Sequence, residues 1–242
     1  MIAASTLAVA AVVATGAALQ GSVGIGFTVL AAPLLVMLAP ELVPGPILML
    51  GVLIAGMTTS REFRAVDVRE LGLALSGRIA GTIGAGTVIA LLPPPAFGFI
   101  FAVMILAAIA LSLMKWHVLP TPRNLVTAGV VSGFMGTITS VGSPPMGLVY
   151  QNMPGARVRA TISAFFLLGA SFSVITLAAV GRFTAAQAVA TLWLVPPVLL
   201  GFLASRYLVR HVDKSKHGVK ATVLAISGFA ALVLLVRPWL QA

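Results

Sequence analysis

The chain has 242 residues, 60% of them hydrophobic and only 8% charged, with a net charge of +10 and no cysteine. That composition excludes a soluble globular domain, and the missing cysteines exclude disulfides, iron–sulfur clusters and thiol chemistry. Apolar runs of about twenty residues recur from end to end, each long enough for a helix to cross about 30 Å of hydrocarbon; a β-barrel would show short alternating segments instead. The expected fold is therefore an all-α integral membrane protein, a polytopic helical bundle.

The first predicted span runs from about Ile2 to Leu19. No basic residue precedes it, so it reads as a retained span rather than a cleaved signal peptide. It ends in a glycine-rich interruption, Gly21 to Gly26, after which Phe27 to Leu38 resumes as a helix of about 18 Å, too short to cross comfortably alone. A third span lies between Pro44 and Thr59, and a charged loop follows with Arg61, Glu62, Arg64, Asp67, Arg69 and Glu70. The fourth, Leu71 to Leu92, carries Gly77, Gly81 and Gly84 at small-residue spacings that permit close helix contact. Pro93, Pro94 and Pro95 stop it, and the fifth, Ala96 to Met114, ends at Lys115 and Trp116, a basic and aromatic pair suited to an interface.

After a linker over residues 117–123, the order repeats. Asn124 to Val141, a short piece from Met146 to Met153, Ala160 to Val180, Gln187 to Val209 and Val219 to Val236 form the second set, ending in Arg237, Pro238 and Trp239. Gly21 and Gly133, Gly24 and Gly136, and Pro33 and Pro145 are each 112 positions apart, whereas Gly81 and Gly201 differ by 120, which places about eight extra residues in the second copy. The expected organisation is a first repeat over 1–116, a linker, and a second repeat over 124–242, each with about five membrane elements and a short or broken helix near the midplane.

Twelve of the fifteen lysines and arginines then fall in loops on one side, which the positive-inside rule makes the cytoplasm. Both termini lie outside. An odd number of elements per half inverts the second repeat relative to the first. Because the basic residues sit in short loops between spans, they are topology signals, and no nucleic-acid partner is expected.

Matched breaks in inverted repeats point to a transporter site. Non-helical backbone at membrane depth is tolerated where protein or a water-filled cavity satisfies it, and the free N–H groups at the start of a continuing helix attract an anion. The candidate substrate-binding residues are Gly21, Ser22, Gly24, Gly26 and Thr28 with Pro33 in the first half, and Thr139, Ser140, Gly142, Ser143, Pro144, Pro145 and Gln151 in the second. Thr137 adds another hydroxyl, and Asn152 with Gln151 borders the mouth. No Asp, Glu or His lies at depth, so a carboxylate proton relay is not expected. Arg78, about two turns into the fourth span, either meets the anion or snorkels to the interface, and Arg159 either guards the mouth or sets topology. His117, His211 and His217 are scattered without acidic or sulfur partners, so neither a metal nor any other cofactor is expected.

The run Gly21-Ser-Val-Gly-Ile-Gly-Phe-Thr-Val-Leu-Ala-Ala-Pro-Leu-Leu, with Ser132-Gly-Phe-Met-Gly, Gly142-Ser-Pro-Pro, Tyr150-Gln151 and Arg159-Ala-Thr, resembles the sulfite exporter TauE/SafE family, also called the toluenesulfonate uptake permease group. The resemblance covers nearly the whole chain. It implies a multi-pass inner-membrane transporter of a small sulfur-containing anion such as sulfite, sulfoacetate or another organosulfonate. One departure stands out: where the family often has Gly-Gly-Pro-Pro, this chain has Ser143 in second place. The expected partners are the anion and the lipid bilayer. The membrane potential favours anion export by about 2.3 kcal/mol per charge per 100 mV, so a coupling ion, sodium or proton, is needed only for uptake. Homo-oligomerisation is left open. An anion channel and a non-transporting assembly subunit are the alternatives; an enzyme is not, because the spans supply no nucleophile and base, paired aspartates or metal.

Overall fold

A computed structural model describes residues 2–23, 26–91, 93–114, 116, 118–150 and 155–212. Gly24, Gln151, Asn152 and the expected last span, Val219 to Val236, lie outside these residues. Among the described residues the chain is helical, in ten α-helices joined by turns and short 3-10 segments, and contains no strand. The first half holds α1 (Ile2–Val23), α2 (Phe27–Leu38), α3 (Gly45–Glu62), α4 (Val68–Leu91) and α5 (Pro94–Leu113). The second holds α6 (Pro122–Thr139), α7 (Ser143–Tyr150), α8 (Gly155–Ala179), α9 (Ala185–Thr191) and α10 (Val195–Val212). Among the described residues four stretches are long and apolar enough to cross a membrane individually: Val68–Leu91, Ala96–Leu113, Arg159–Ala179 and Ala185–Tyr207.

Local chemistry sets the ends. Asp67 caps α4, its Oδ1 accepting from the Glu70 N–H at 2.9 Å. Thr121 caps α6, with Pro122 in the first turn, where a missing N–H costs nothing. Gly181 follows α8 at φ +70°, and Thr184 and Gln187 form a reciprocal capping box at α9. The fourth span of the second half is interrupted, in contrast to the continuous helix expected: Leu192–Leu194 form a 3-10 turn between α9 and α10. Pro196 and Pro197 follow at once, and neither can donate to the turn before it.

The two halves use the same pairings. α4 packs along α6 as α10 packs along α1; α2 follows α1 as α7 follows α6; and α3 packs against α8. Glycine makes the first two pairs intimate. A Cβ on Gly81 would lie 2.0 Å from the Val130 carbonyl oxygen, and a Cβ on Gly201 would lie 2.0 Å from that of Ala14, so both backbones meet where any larger residue would hold them apart. Beside the 112-position match of glycines and prolines, the helix limits and contacts show a second interval. Val23 and Thr139 end the first helix of each half and Phe27 and Ser143 begin the next, both 116 positions apart. Ala14 and Val130, met by Gly201 and Gly81, are separated by the same interval.

Three apolar clusters surround the centre. Val13, Phe27, Leu35, Ile54, Phe101 and Val198 join α1, α2, α3, α5 and α10. Leu125, Met146, Tyr150 and Phe165 join α6, α7 and α8, and Leu48, Ile89, Ile138 and Leu177 join α3, α4, α6 and α8.

Candidate functional site

Arg78 packs beside the second of these clusters, against Phe165 and Phe166. Its side chain does not snorkel: it is 1% exposed, the largest fully buried side chain among the described residues. Three glycines clear the space. A Cβ at Gly136 would lie 3.1 Å from both terminal guanidinium nitrogens, one at Gly142 2.7 Å from Nη1, and one at Gly169 2.6 Å from Nε. Any side chain there would occupy the guanidinium's own volume.

The guanidinium has five N–H donors. Nη1 donates to the carbonyl oxygen of Ser132 at 3.1 Å and to its Oγ at 2.8 Å, and Nη2 donates to Ser173 Oγ at 3.4 Å. Ser132 Oγ in turn donates to the Gly142 carbonyl in the α6–α7 break, tying the arginine to the interruption. Phe165 and Phe166 place their ring centres 5.3 and 5.8 Å from the guanidinium carbon, within cation–π range. None of these partners carries a negative charge. Nε has no partner.

A cavity of about 30 Å³ opens beside this group, where about 10–15 Å³ suffices for a water. Both halves line it: Gln20 of α1, Thr28 of α2, Leu48 and Gly51 of α3 and Arg78 of α4 from the first, and Ser140, Gly142, Ser143, Phe166 and Ala170 from the second. Its polar rim is underused. Ser143 Oγ is buried without a partner, and Gln20, 7% exposed in the last turn of α1, lines the same cavity. Unpaired polar groups at depth are costly unless a ligand or water meets them.

The expected site residues divide into three groups. Thr28, Ser140, Gly142 and Ser143 line the cavity. Ser140 does so at φ 66°, with its hydroxyl donating to the Pro44 carbonyl at 3.0 Å. Others shape the backbone around it. Gly26 precedes α2 at φ 135°, a region closed to other residues. Thr139 Oγ1 donates to Met135 O and accepts from the Val141 N–H, satisfying the frayed end of α6. Pro33 is buried inside α2, and Pro144 and Pro145 are buried in the first turn of α7.

The third group faces elsewhere. Gly21 packs against Ser205 and Phe202 of α10. Ser22 turns its hydroxyl back onto the carbonyls of Ala18 and Leu19. Thr137 joins Ser173, 2.9 Å away, in the layer behind Arg78. Arg159 lies outside the cavity, donating through Nε and Nη2 to Glu62 at 2.8–3.2 Å. Arg157 similarly holds Asp67 at 2.6 Å and Glu70 at 2.8 Å, and Tyr150 donates to Glu70 at 2.8 Å. These ion pairs clasp the α3–α4 turn to α8 on one face of the bundle.

Pro144 and Pro145 have no N–H, so the start of α7 presents few backbone donors; the cation in the described lining is Arg78. Sequence reasoning missed Gln20, Ser132, Ser173 and Phe166. Gln20 carried a signal, being an amide at the end of an apolar span beside a break. Ser132 stood in a motif of the resemblance, but nothing along the chain joined it or Ser173 to the arginine they hold, 54 and 95 positions away.

Among the described residues there is no cluster of His, Cys, Asp or Glu able to hold a metal. No curated protein and no solved structure matches the chain. The family model described as sulfite exporter TauE/SafE matches residues 8–234, nearly the whole length, and so this helical membrane protein, with a buried arginine at its centre, belongs to the TauE/SafE sulfite exporter family.

Proposed function

We propose that the protein is a carrier that exports a small sulfur oxyanion by alternating access, with the anion held beside Arg78 between the two helix breaks. The observation that carries the reading is a guanidinium 1% exposed, with no carboxylate partner, on the wall of a cavity shared by both halves. An uncompensated buried charge costs several kcal/mol. A bound anion removes that cost, and Ser143, Thr28 and Gln20 supply donors for its oxygens. The site is one-sided: at the 120-residue interval Arg78 corresponds to Val198, so only the first half contributes the charge.

The two halves are an inverted pair related through the α3–α8 contact, and the shared pairings of α4 with α6 and α10 with α1 support this. Rocking of one half against the other exposes the cavity alternately to each side. The face bearing Arg157, Arg159 and the α3–α4 turn is cytoplasmic, which leaves both termini outside. Its ion pairs to Asp67, Glu70 and Glu62 join the halves and must part when that side opens. The plasma membrane potential supplies the driving force for export without a coupling ion.

Counterflow in proteoliposomes tests the reading. Internal unlabelled sulfite should accelerate entry of labelled sulfite in wild type, Arg78→Gln should abolish it, and Ser143→Ala should weaken it. Flux without counterflow would favour a channel, and flux indifferent to Arg78→Gln would remove the site.

A further inference from the structure

We infer that the cavity selects singly charged oxyanions and discriminates against doubly charged ones, an inference that rests on the Arg78 cavity being the transport site. Among the described residues that line the cavity Arg78 is the one cation. Arg61, Arg64, Arg69, Arg123, Arg182 and Arg206 are exposed, and Arg157 and Arg159 are committed to carboxylates at the bundle's edge. No acid lines the cavity: Glu41 is exposed, and Glu62, Asp67 and Glu70 are held in those ion pairs. The described lining therefore carries a net charge of +1.

A monoanion makes that site neutral, whereas a dianion leaves one negative charge at depth. The cost of removing an ion from water grows as the square of its charge, so a dianion's is about four times that of a monoanion of the same size. Its attraction to a single guanidinium only doubles. A second cation would have to make up the difference, and the remaining lining offers dipoles: the Ser143 and Thr28 hydroxyls and the Gln20 amide. The rest of the lining, Leu48, Phe166 and Ala170, is apolar and pairs no second charge. Dianionic sulfite, sulfate and sulfoacetate are disfavoured on these terms. Hydrogensulfite and simple alkanesulfonates are favoured. Taurine, whose ammonium would enter beside Arg78, is also rejected.

The test uses the full-length purified protein and three probes: methanesulfonate, whose single charge is independent of pH; sulfate, doubly charged throughout; and sulfite, measured one pH unit below and one above its second ionisation near neutrality. Methanesulfonate should bind, sulfate should bind at least about tenfold more weakly, equal to about 1.4 kcal/mol, and the apparent affinity for total sulfite should fall about tenfold at the higher pH, following the hydrogensulfite fraction. Methanesulfonate at both pH values controls for titration of the protein. In Gln20→Lys, which adds a second positive charge to the lining, the preference should shift toward sulfate. Sulfate binding as tightly as methanesulfonate, or sulfite affinity rising with pH, overturns the inference and leaves the site standing. Binding of none of the three overturns the site itself, and the inference with it.

Discussion

Two alanines placed three residues apart on α4 should have opposite effects. At Gly81 a Cβ would lie 2.0 Å from the Val130 oxygen, 2.8 Å from its carbonyl carbon and 2.9 Å from the Phe134 nitrogen, all backbone atoms that no rotamer change can move. Restoring an ordinary 3.4 Å contact requires α4 and α6 to part by the difference, about 1.4 Å. That separation also opens the neighbouring contacts made by Gly77, Gly129 and Gly133, and stretches the Arg78–Ser132 hydrogen bond beyond reach from its present 2.8 Å. Overpacking of this kind costs about 1–3 kcal/mol, and the upper end is expected here because backbone meets backbone over several turns. At Gly84 the nearest atom, on the Phe134 ring, is 3.9 Å away, so Gly84→Ala meets no clash and gains about 0.5–1 kcal/mol of helix propensity. The two variants should differ by about 4 kcal/mol in unfolding free energy when titrated with denaturant in one detergent, and Gly81→Ala should lose sulfite binding. Equal stability of the two, or greater stability of Gly81→Ala, would refute the close-packed α4–α6 interface.

Three further outcomes follow from the same geometry. Gly51 has no atom within 4 Å of an added Cβ and lines the cavity, so Gly51→Leu should keep stability within about 0.5 kcal/mol while reducing sulfite flux at least about tenfold in proteoliposomes. Gly26→Ala forces an L side chain to φ 135° and should cost about 1–3 kcal/mol in unfolding free energy, with the defect reaching Thr28 at the start of α2. Arg157→Gln leaves Asp67 without its ion pair and Glu70 with only Tyr150; the half-exposed network limits the loss to about 1–2 kcal/mol, and equilibrium binding of sulfite should be unchanged while the rate of flux rises or falls with the opening of that face.

The sequence alone determined that the chain is a bundle of membrane helices, where most of them begin and end, and that two of them are broken. Apolar runs, prolines and capping residues act within a few positions of themselves, and lipid permits few alternatives to a helix. The α2 limits, Phe27 to Leu38, agree with the apolar run residue for residue. Arg78 was also singled out, because a cation amid some twenty apolar residues is conspicuous. What Arg78 does there was decided only in three dimensions. Snorkelling and burial are equally compatible with its position along α4; burial wins because Gly136, Gly142 and Gly169, from three other segments, leave a space of the right size, and because Ser132 and Ser173 meet its nitrogens. The close packing of α4 on α6 and of α10 on α1 was decided in the same way: the glycines are legible along the chain, but that Gly81 meets Val130 and Gly201 meets Ala14 is not. Local chemistry is written along the chain, whereas the partners of a buried charge are set by which distant helices pack against it.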